Sequence, residues 1–164
     1  MRYTQYSHVD DFLERMGSIF AQTEALNGLM FGVCLQLKQD LSTYGGQPLL
    51  AIVEDDTEIL LAAVMTPPYK LQLCAPTSFS DSSMAAVADG LVANQWSVPA
   101  VVAEKHLAES FAEAWKTVRG CRWHEGMQQR IHELRHVRIF EYAPGTFRQA
   151  TPQDMKRTTQ PAIT

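Results

Sequence analysis

Cys121, His124, His132 and His136 are of the types that ligate zinc. Their spacing serves that end only on a helix, where His132 and His136 fall one turn apart on one face. On a strand the same pair is separated by about 13 Å and cannot share an ion. The strand reading is preferred for this stretch, so no metal is expected and the two histidines read as surface or edge-strand residues. Glu54, Asp55, Asp56 and Glu58 form a carboxylate cluster. A cation or a general base is conceivable there, but a solvated hairpin turn is the commoner meaning. Gly-x-Ser-x-Gly is absent, so hydrolase chemistry has no anchor. Cys34 and Cys74 sit inside apolar patterns as inert core thiols. Cys121, between Arg119 and Arg122, is the one candidate thiolate. Met65-Thr66-Pro67-Pro68-Tyr69 joins an apolar strand end, a hydroxyl and an aromatic ring at the centre of a sheet. A substrate cleft could open at Met65, Thr66 and Tyr69, although a plain strand terminus has the same composition.

These residues need elements to hold them. The chain has 164 residues and a net charge of −4, with 46% hydrophobic and 20% charged residues. That suits one globular domain with a full core and excludes a disordered chain. The apolar run Ile59–Met65 is too short to span a bilayer. The first residues show no apolar signal region, and three scattered cysteines imply no disulfide framework, so a reduced cytoplasmic chain is expected. Residues 1–114 hold 5 Lys+Arg against 14 Asp+Glu, a balance of −9; residues 115–148 hold 7 against 3, a balance of +4. A basic stretch beside Trp115, Trp123 and Phe140 could suggest nucleic acid. The overall acidity favours a solvated face paired with the acidic part, with no nucleic acid and no membrane as partner.

Val9, Phe12, Leu13, Met16, Ile19 and Phe20 predict a helix over 9–22, with Asp10 and Asp11 in its first turn. Leu26, Leu29, Met30, Val33, Cys34 and Leu37, widened by Phe31 and Leu35, predict a second helix near 24–41, buried on most sides. Two apolar runs, 49–53 and 59–65, joined by an acidic turn read as a hairpin. A third strand follows over 69–75. Ser80 or Asp81 caps a third helix lined by Met84, Val87, Ala88, Leu91 and Val92. A strand over 98–103 and a helix over 106–119, stopped by Gly120, come next. In 123–140, Ile131, Leu134 and Val137 fit a helical step of three and paired strands equally well. The missing cap and the Val/Ile/Phe ending favour strands. The expected fold is a mixed α/β (α+β) domain over 1–143, an antiparallel meander followed by a βαβ unit with helices on both faces, and a linker over 144–164.

Several stretches are familiar in this order. Glu24–Gly32 (EALNGLMFG), Ala62–Pro68 (AAVMTPP), Phe111–Trp115 (FAEAW), Arg130–Leu134 (RIHEL) and Pro144–Ala150 (PGTFRQA) resemble the N-terminal half of bacterial two-domain acetyltransferases of the GNAT superfamily. The element order resembles that superfamily after its first strand. The resemblance implies a degenerate GNAT-like domain that precedes an acetyl-coenzyme A domain, with 144–164 opening the latter. In an active domain, Arg/Gln-x-x-Gly-x-Gly/Ala lets the backbone and the free helix N–H groups hold the cofactor's diphosphate. The equivalent loop here, Leu73–Ser83, has no Gly; Pro76 lacks a donor, and Asp81 sets a carboxylate where a phosphate would sit and would satisfy the amides itself. A vestigial site would use Ala75, Ser80, Asp81 and Ser82. The resemblance therefore implies no catalytic residue in this chain and no bound cofactor, with acetyl-coenzyme A serving the full-length family. Its partner would be a C-terminal catalytic domain or a homodimer mate. The alternatives are a stand-alone binding or dimerisation module and an acetyltransferase active in this chain through an atypical cofactor site.

Overall fold

A computed structural model describes residues 1–138, 145–149 and 151–154. It divides into two compact units, Met1–Glu133 and Leu134–Thr164. The first begins with a strand that the sequence reading does not contain: β1, Arg2–Gln5, antiparallel to β2 in the register Tyr3 to Val53 and Thr4 to Ile52. Helices α1 (Val9–Gln22) and α2 (Glu24–Gln39) follow, broken apart at Thr23. The Thr23 hydroxyl donates to the Ile19 carbonyl (3.0 Å) and accepts from the Asn27 amide (2.6 Å), so one side chain ties both helix ends. A 3₁₀ turn, Leu41–Tyr44, capped by Asp40, leads into β2 (Leu49–Glu54). Then come β3 (Ile59–Met65), β4 (Leu71–Cys74), α3 (Asp81–Ala93), β5 (Val101–Val102) and α4 (Lys105–Arg119). Gly120 closes α4 at φ 65°, a conformation in which glycine carries no side-chain penalty.

The five strands lie in sequence order, antiparallel from β1 to β4 and parallel between β4 and β5. This is the mixed α/β sheet that the periodicity predicts. Alternation sorts its two faces. Leu49, Ala51 and Val53 of β2 join Leu61, Ala63 and Met65 of β3 in one core with Met84, Val87 and Leu91 of α3 and Leu107 and Phe111 of α4. Leu50, Ile52, Ala62 and Val64 face the other way, against Phe12, Met16 and Phe20 of α1 and Met30, Val33, Cys34 and Leu37 of α2. Helices therefore cover both faces. Phe12, Met16 and Phe20 are fully buried, each stabilising by about 1.5–3 kcal/mol. A bulge sets Ile59 opposite Glu54 and Leu61 opposite Val53, which leaves Leu60 unpaired. The extra residue lets Leu60 and Leu61 enter the same core.

Three expectations are corrected. Residues 120–138 carry no helix, no strand pairing and no turn, so the strand expected from 123 does not form over the described part; 139 and 140 lie outside the described residues. Trp123, Met127, Ile131, Leu134 and Val137 are exposed, because no ladder partner gives them a face to bury. Among the described residues helix α2 is covered on one side only. Leu26 and Leu29 stand 66% and 63% exposed, since the sheet beneath spans only the Met30–Leu37 stripe. The strands expected over 69–75 and 98–103 shorten to β4 and β5. In the second unit, Arg148 donates to both carboxylate oxygens of Asp154 (2.7 and 2.8 Å), which also accepts from the Thr151 amide and hydroxyl. Of the expected linker 144–164, only 145–149 and 151–154 are described.

Candidate functional site

The parallel pair β4–β5 sends two helices off from its carboxyl end, the place where open α/β sheets receive anions. Ser80 caps α3. Its hydroxyl accepts from the Ser83 amide (3.3 Å), and its own amide donates to the Ser83 hydroxyl (2.9 Å). The Ser83 hydroxyl in turn donates to the Ser80 carbonyl (2.8 Å), and Ser83 is wholly buried. Ser82 lies 2.9 Å from the Ser80 hydroxyl. This reciprocal capping box takes up two of the donors at the helix start, the Ser80 and Ser83 amides, that an anion could otherwise use. Of the two expected caps, the structure selects Ser80, not Asp81; Asp81 is the first residue of the helix and exposed. Glu104 caps the start of α4 with a single bond, its carboxylate accepting from the Leu107 amide (3.3 Å). The Phe79 and His106 rings, 5.5 Å apart, join the two helix starts. The loop before α3 has no glycine, Pro76 has no amide proton to donate, and the helix opens on a serine box and the Asp81 carboxylate; this donor set does not fit a diphosphate. Ala75 is half-buried and packs on the α3/α4 core.

The three expected cleft residues part company. Met65 is 1% exposed and belongs to the α3/α4 core. Thr66 is buried, and its carbonyl accepts from the Tyr69 amide (2.9 Å) across the cis Pro67-Pro68 bond. Tyr69 stands 60% exposed, its ring edge-on to Tyr44 at 6.0 Å. Only Tyr69 presents a side chain to solvent.

The acidic turn is not uniformly solvated. Glu54 is buried at 5% exposure. One carboxylate oxygen accepts from Arg2, whose Nε lies at 3.1 Å, and the other accepts from Arg15 of α1. The Arg2 hydrogen bond, then that of Arg15, hold its carboxyl below the ordinary glutamate range against the opposing effect of burial. Paired twice and lowered, it makes a poor general base at neutral pH. Asp55 accepts from the Thr57 amide and hydroxyl (both 2.8 Å) and from the Glu58 amide (3.0 Å), which shapes the turn. With Met1, Ile19 and Ile59 these residues line an open cleft of about 710 Å³. Sequence order hides this cluster because Arg2, Arg15 and Glu54 are brought together only by the β1–β2 register and the seat of α1.

Cys34 and Cys74 are buried, and burial pushes their thiols up to about 12 and about 11. They are unreactive, as expected. Cys121 is exposed. Cys121, His124, His132 and His136 lie in the stretch without regular structure, and among the described residues no three His, Cys, Asp or Glu gather to hold a metal ion.

Comparison with protein-family models, curated proteins and solved structures finds no match for this chain. The geometry of its own residues therefore carries the functional argument. Among the described residues no helix is long and apolar enough to cross a membrane.

Proposed function

We propose that this chain is a non-catalytic domain of GNAT-like acyltransferase design, which packs against a catalytic domain or shapes its acceptor pocket. The observation that supports this is the start of α3: a closed Ser80–Ser83 box beside the Asp81 carboxylate, at the point where the resembled family holds acetyl-coenzyme A. The order of β2 to α4, with a parallel β4–β5 pair after an antiparallel meander, is consistent with that design. In the full-length family a substrate amine attacks the acetyl thioester, a general base takes the proton, and backbone donors polarise the carbonyl. This reading assigns none of those roles to a residue of this chain. Isothermal titration with acetyl-coenzyme A tests the reading. No saturable heat is expected; saturable binding in the micromolar range would transfer the activity to this chain and overturn the proposal.

A further inference from the structure

Between residues 2 and 117, the exposed large apolar side chains are Leu26, Leu29, Leu35, Leu41 and Tyr69. Three lie on α2, Leu41 in the 3₁₀ turn after it, and Tyr69 against Tyr44 of that turn. From Ala25 to Leu37 the helix carries no charge. Gly28 and Gly32 sit one turn apart on its outer side, and a Cβ at either would meet nothing within 4 Å. Glycine weakens a helix interior. Among the described residues nothing uses the room that these two leave, and such room lets a second backbone approach closely.

We infer that the outer face of α2 is the seat of a two-fold dimer of this chain. Charge favours this face for a second copy: residues 1–114 carry a balance of −9, whereas α2 from Ala25 to Leu37 carries no charge, so two acidic copies can meet there without setting carboxylate against carboxylate. On the outer face of α2 they meet without a like charge. Register agrees. In an antiparallel pairing centred between Met30 and Phe31, Leu29 of each copy stands level with Gly32 of the other, a projecting side chain beside a notch, twice. Area sets the strength. A helix about 24 Å long and some 10–12 Å wide, with the Leu41–Tyr69 corner, offers on the order of 500 Å² a side, at the lower end for specific interfaces. An interface of that size suits a weak, concentration-dependent dimer, with a midpoint expected on the order of 10–100 µM. This inference does not rest on the acyltransferase reading, and coenzyme A titration does not report on it.

Sedimentation equilibrium from about 5 to 300 µM tests it. The chain should pass from monomer towards dimer across that range, and Leu29→Glu should remain monomeric with an unchanged circular dichroism spectrum. Added salt should tighten the dimer by screening two acidic copies. Should Leu29→Glu fail to fold, Gly32→Ala, unobstructed within the chain, should fold and weaken association at least about threefold. A monomer throughout the range, a dimer indifferent to these variants, or a dimer that loosens in salt and so points to the basic 115–148 stretch would each overturn the inference.

Discussion

The Tyr3 ring occupies the space where a Cβ on Gly90 would stand: built there, it would lie 2.5 Å from the ring carbons. Tyr3 belongs to the edge strand and is buried enough to raise its hydroxyl to about 12. Gly90→Ala should therefore destabilise by about 1–3 kcal/mol through overpacking, although alanine is the better helix former by roughly 1 kcal/mol. Gly17→Ala in α1, with nothing within 4 Å, should instead stabilise by up to about 1 kcal/mol. Urea midpoints of the two variants, moving in opposite directions at unchanged slope, check the pair. Glu54 makes a second residue-scale prediction. Its folded carboxyl titrates below its unfolded value, so its stabilisation is present above the unfolded glutamate range near pH 4.3 and is lost as pH falls through the lowered folded value. Glu54→Gln should lower stability at pH 7 and flatten the acid limb of a stability–pH curve; an unchanged acid limb would remove Glu54 as its source. The sequence shows Glu54 only as one of four acids in a turn, because its two cations come from Arg2 and Arg15, 52 and 39 residues away.

Elements with a strong period were legible. The α1 stripe of Val9, Phe12, Met16 and Phe20 is the buried set, and Gly120 stops α4 where glycine is needed. Strand β1 was not legible. Four residues, Arg-Tyr-Thr-Gln, are too few to show a period. The strand is fixed from outside: by Tyr3 over Gly90, by Arg2 on Glu54, and by the Trp96 indole donating to Gln5 (3.0 Å). The stretch after α4 failed for the opposite reason, since its apolar spacing satisfied two periods and the described chain adopts neither. The cap of α3 was legible to within one residue. Ser83→Ala removes both its hydrogen bonds, orphans the Ser80 amide, and should cost about 1–3 kcal/mol. Hydrogen exchange should accelerate first at the start of α3; uniform acceleration across the unit would show that the box acts elsewhere.

At the scale of the molecule, order is uneven. Residues 120–138 hold Arg122 and Arg130 in exposed chain without a ladder, whereas Arg119, at the end of α4, lies over the Trp115 ring at 5.3 Å. Limited trypsin should cut after Arg122 and Arg130 before it cuts anywhere in 1–119; an early cut at Arg15 or Lys38 would contradict this. The layering of helices on both faces was legible from composition and period, whereas the placing of Met65, Thr66 and Tyr69 was not, because the same strand end can point a side chain inward or outward depending on register. One consequence of that layering concerns how the molecule can come apart. Every residue of β2 and all but the first of β3 are shielded from water on either side. Amide deuterium uptake at Ala51, Ile52, Ala62 and Ala63 should then wait for complete unravelling, and no half-molecule lacking either helical pair can persist, because its bare hydrocarbon wall would precipitate.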